Sequence, residues 1–88
     1  MTSDRGVNTI ESTVFFEMGY RFLFFSREES RMHVHVQSAE GEAKFWVEPR
    51  IDLATSRGLP TREIRVVERI IREREHDIRS AWRRHFSG

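Results

Sequence analysis

The period of apolar and polar residues changes once along this 88-residue chain. Between Thr13 and Val47 it is close to two, the period of half-buried strands. Thr13-Val14-Phe15-Phe16-Glu17 is β-branched and aromatic, and Met18-Gly19 offers a turn. Tyr20-Arg21-Phe22-Leu23-Phe24-Phe25 reads as a second strand, and the charged stretch 26–31 as a connection. Met32-His33-Val34-His35-Val36-Gln37 alternates cleanly and reads as a third. Ser38-Ala39-Glu40-Gly41 turns, and residues 42–47 read as a fourth, ended by Pro49, which has no N–H to give a ladder. Connections this short favour antiparallel pairing.

Beyond Arg57-Gly58-Leu59-Pro60 the period becomes helical. At about 100° per residue, Ile64, Val67, Ile71, Ile78 and Trp82 share one narrow arc, which Ile70, Ala81 and Phe86 widen. A straight helix of about 25 residues would be about 40 Å long. A domain of this size is about 30 Å across. The helix is therefore expected to overhang, bend or break, and its apolar stripe lapses at Arg74 and Glu75. The pattern predicts an α+β fold: an antiparallel β-meander of three or four strands packed on a long or kinked C-terminal helix. Residues 1–8 are polar and without period, and read as a flexible N-terminal arm. Residues 9–88 read as a single α+β domain.

Composition narrows the chemistry. The chain has no cysteine, which removes disulfides and thiolates. No apolar run approaches the roughly 20 residues that cross a bilayer, and no signal-peptide core follows the first methionine. A cytoplasmic location with no membrane contact is expected. Net charge is only +1, but Lys44 is the single lysine among fifteen basic residues. Arginine suits planar, bidentate contacts with phosphate or carboxylate.

Three groups of residues stand out. His33 and His35, two apart on a strand, share a face. They are candidate acid and base, with Arg21 as the nearest strand cation. Two imidazoles fall short of a zinc site, which needs at least a third protein ligand. The carboxylates expected on that face are Glu42 and Glu48, with Lys44 between them opposing a cation. The reading is no metal and no cofactor. On the helix, Arg62, Arg65, Arg69, Arg72, Arg79 and Arg83 recur at i, i+3 and i+4 opposite the apolar stripe. Such a ridge suits a phosphate backbone or an acidic partner, or is a solvated face of ion pairs. Finally, one helix covers one face of a sheet. If Phe22, Phe24, Val34, Val36, Phe45 and Val47 meet it, then Leu23, Phe25 and Trp46 lie on the other face. An aromatic patch there suits a protein interface, either a homodimer or a small partner protein.

The run Gly19-Tyr20-Arg21-Phe22, Glu28, His33-Val34-His35-Val36 and Ala43-Lys44-Phe45-Trp46-Val47-Glu48-Pro49, with the helix ending Ala81-Trp82 and Phe86, resembles a widespread family of short prokaryotic proteins catalogued as a domain of unknown function. The resemblance covers about residues 19–86. Members often carry prolines before the first histidine, where this chain has Arg31-Met32. The resemblance implies a protein encoded beside another small domain, in pairs of the toxin–antitoxin kind. It implies no activity and no catalytic residues.

Three functions follow as expectations. The first is an interaction module, one partner of a two-protein toxin–antitoxin-like system. The second is a nucleic-acid-binding protein using the arginine ridge. The third is a small ribonuclease-like toxin using the histidine pair.

Overall fold

The computed structural model describes residues 10–86, so the arm expected over residues 1–8 lies outside the described residues. Five strands form one antiparallel sheet in chain order: β1 (Glu11–Glu17), β2 (Tyr20–Phe25), β3 (His33–Gln37), β4 (Glu42–Trp46) and β5 (Asp52–Arg57). Two helices follow, α1 (Thr61–Glu73) and α2 (Glu75–Phe86). The fold is α+β, with one strand more than the hydrophobic pattern predicts. β5 is mostly exposed and carries only Leu53 and Ala54 as apolar side chains. Backbone pairing to β4 makes it a strand, and a burial pattern does not record that.

Local chemistry sets the register. Met18 and Gly19 both have positive φ, 54° and 84°, as a two-residue hairpin turn between the paired Glu17 and Tyr20 requires. Both edge strands are bulged. β1 shifts register between Thr13 and Phe15, and the β4–β5 pairing shifts between Lys44 and Phe45. The first bulge lets Val14 and Phe15 both pack toward the core, and Phe15 stacks on Phe22 with ring centroids 4.5 Å apart.

Both helices serve one face of the sheet. Phe22, Phe24, Val34, Val36, Phe45 and Val47 are buried in one cluster with Val67, Ile70, Ile71, Ile78 and Trp82. The helical segment bends at Arg74, where the apolar stripe lapses. Arg74 has φ −107° and ψ 20°, yet its N–H still reaches the Ile70 carbonyl at 2.8 Å. Its guanidinium bonds Glu17 and Asp77 at 2.8 and 2.9 Å and lies over the Phe15 ring. The bend keeps the longest dimension to 37 Å. It also lays Trp82 edge-on against Phe24, with ring centroids 5.3 Å apart. Trp82 is thus covered within the chain. Phe86 packs on Trp82 and stays 36% exposed.

Candidate functional site

Alternation along the strands turns Arg21, Leu23, Phe25, His35, Lys44 and Trp46 away from the helical face, whereas His33, at the start of β3, still meets Trp82 of α2. β2 and β3 pair only from Arg21–Leu23 to His35–Gln37. Beyond Leu23 the connection between them folds back and brings Glu28 to the two histidines. Glu28 Oε1 lies 3.1 Å from His33 Nε2 and 3.2 Å from His35 Nε2. His33 Nδ1 lies 2.6 Å from the Arg31 carbonyl oxygen, which only accepts, so this nitrogen carries the proton. The His33 ring is 1% exposed and is edged by Trp46, Trp82 and His35. His35 is half-buried and meets Phe25 edge-on at 4.6 Å. Burial lowers the His35 pKa below the usual imidazole value, against the opposing pull of Glu28.

The carboxylate is not one of those expected on this face. Glu42 pairs with Arg57, and Glu48 pairs with Arg79. Lys44 pairs with Glu29, whose carboxyl it holds below the usual range, and its ammonium lies over Trp46 at 4.5 Å. The guanidinium of Arg31 also lies over that ring, at 4.0 Å. Glu28 belongs to no periodic element; the signals for it are its place in the loop beside the histidine strand and its presence among the residues that carry the family resemblance. Next to this cluster, Phe25, His35, Gln37, Lys44, Thr55 and Arg57 line an open groove of about 530 Å³.

The other residues singled out above divide. Arg21 bonds Glu11, Thr13 and Gln37, two ladder positions from His35. Leu23 is 0% exposed and offers no surface to a partner, whereas Phe25 and Trp46 are half-buried. Phe16 adds an aromatic ring that is 70% exposed. On the helices, Arg79 bonds Glu75, Glu48 and the Val47 carbonyl and fastens α2 to the end of β4. Arg72 is held by Glu68. Arg62, Arg65, Arg69 and Arg83 are exposed and make no ion pair among the described residues.

No curated protein and no solved structure matches the chain. The family described as a domain of unknown function, DUF4160, matches residues 19–83, a span that holds β2 to β5, both histidines, Glu28 and most of both helices.

Proposed function

The chain belongs to the DUF4160 family of domains of unknown function, and we propose that it is a small interaction module, one partner of a prokaryotic, cytoplasmic two-protein system of the toxin–antitoxin kind. The observation that carries this reading is the second face of the sheet. Both helices pack on the first, while on the second Phe16 is exposed and Phe25 and Trp46 are half-buried. Three bases on that face are matched by acids, Arg21 by Glu11, Lys44 by Glu29 and Arg57 by Glu42, while Arg31 lies over Trp46 and donates to the Glu48 carbonyl. A face of aromatic rings among neutralised charges suits a protein surface of mixed polarity better than a phosphate backbone.

Co-expression with the product of the neighbouring gene tests the reading. A stable complex in native mass spectrometry, weakened by Trp46→Ala, supports it. A chain that stays monomeric at high concentration and ignores the neighbouring product sinks it. A homodimer through the same face is the remaining form of the same reading, and light scattering of the isolated chain separates the two.

A second reading rests on α1, where Arg62, Arg65 and Arg69 form an exposed stripe free of ion pairs among the described residues. That stripe suits a nucleic acid, with affinity falling steeply as salt rises. Anisotropy of a labelled duplex, with and without Arg65→Glu and Arg69→Glu, decides it. The ribonuclease reading has less support, because His33 is enclosed and Arg21 is committed to Glu11.

A further inference from the structure

We propose that Glu28, His33 and His35 bind a first-row divalent metal ion of the zinc class, through Glu28 Oε1 and the Nε2 atoms of both histidines. The sequence argues for no metal on two grounds, a missing third ligand and Lys44 lying between the carboxylates. The fold removes both. It supplies Glu28 from the loop, and it turns Lys44 toward Glu29 and Trp46.

The three side chains offer ligand atoms that all lie within 4.8 Å of one another. Zinc bonds nitrogen and oxygen at about 2.0–2.2 Å, which sets tetrahedral ligand atoms about 3.4 Å apart. The two edges from Glu28, 3.1 and 3.2 Å, are already close to this. The third edge, between the two histidine nitrogens, is at most 4.8 Å.

His33 carries the argument furthest. Its Nδ1–H is committed to the Arg31 carbonyl, so in the neutral ring Nε2 bears a lone pair. That lone pair faces a carboxylate oxygen at 3.1 Å, and the ring that bears it is 1% exposed. Two lone pairs at this separation repel unless positive charge lies between them. A proton serves one such pair, whereas a divalent ion satisfies all three donors together. An Nδ1–H held by a carbonyl is also how metal-bound histidines are fixed in tautomer and orientation. Two imidazoles and one carboxylate select zinc and its neighbours over calcium or magnesium, which prefer oxygen ligands. Three protein ligands leave a position for water.

The site does not depend on the interaction reading, and its test is separate. The whole chain, stripped of metal with a chelator, is titrated with zinc by calorimetry and with cobalt by visible absorption. One ion per chain is expected, with the d–d bands of a four- or five-coordinate cobalt ion. Glu28→Gln and His35→Ala should each weaken zinc binding at least about tenfold while keeping the circular dichroism of the parent. In the unaltered chain, zinc should shift the imidazole resonances of His33 and His35 and leave those of His76 and His85 in place, a readout that needs no variant. Absence of stoichiometric zinc overturns the proposal. So does binding that survives both substitutions, or that moves His76 or His85 instead.

Discussion

Tyr20 is the only tyrosine of the chain, and its hydroxyl ties the sheet to α1 by donating to Glu63. Burial, helped by the Glu63 carboxylate, raises its pKa from 10.0 to about 12. The folded state therefore resists ionisation more than the unfolded chain does. The resulting stabilisation is complete below pH 10 and is lost as pH rises through about 12. Tyr20→Phe should cost about 1.5–3 kcal/mol at pH 8, the range for a hydrogen bond to a charged group. Thermal melts should show the gap between the two proteins closing as pH approaches 12; a gap unchanged across that window would mean that the phenol does not hold its proton as described. Among the histidines, His33 shows how one residue type serves two ends. Its ring fills space beside Trp82 while its nitrogens face a carbonyl and a carboxylate.

Among the elements, β5 is the least self-sufficient. It buries no side chain fully, and its place depends on backbone pairing and on how closely the β3–β4 turn approaches its end. At Gly41 an added Cβ would fall 2.2 Å from the Arg57 carbonyl oxygen and 2.8 Å from Gly58 Cα, both backbone atoms with little freedom to move. Gly41→Ala should cost about 1–3 kcal/mol, the range for overpacking. Hydrogen exchange should show the loss concentrated in the amides of β5, with those of β2 and β3 following only the global change. Uniform loss across the sheet would show that β5 is not a separable edge. The bend between α1 and α2 has a comparable local cause. The residue at the lapse of the apolar stripe is an arginine, and its side chain finds Glu17 on β1 and Asp77 on α2.

At the scale of the whole molecule, the sheet's edges and its faces have different prospects. Both edges carry bulges, which disfavour strand addition from another copy. Association is therefore expected through the face bearing Phe16, Phe25 and Trp46. Trp46→Ala should weaken that association by at least about tenfold, in keeping with buried tryptophans as frequent hot spots. The variant should keep a cooperative melt. Sedimentation velocity of parent and variant, alone and with the neighbouring product, reads this directly; equal association by both proteins would move the interface elsewhere. The arginines sort at the same scale. Arg79 holds α2 against the end of β4 and is lost to any ridge, so a phosphate-binding surface, if used, is the α1 stripe.

The α+β class, the first four strands, the apolar stripe of the helices and the place of their bend all follow from residues near one another in the chain. Period two and period 3.6 are local properties, and a stripe that lapses does so wherever the chain later folds. The same pattern correctly placed Phe22, Phe24, Phe45, Val67 and Ile71 in the core. Four features needed the tertiary structure. β5 became a strand through pairing rather than burial. Leu23, patterned to lie on the open face, is fully buried there at a register position between Thr13 and His35. Arg79 left the expected ridge for partners 31 and 32 residues away. Glu28 reached His33 and His35 only because β2 and β3 part beyond Leu23 and the loop between them closes over the gap. Periodicity records which side of its own element a residue takes, whereas the meeting of a loop carboxylate with two strand histidines depends on how the elements are joined in space.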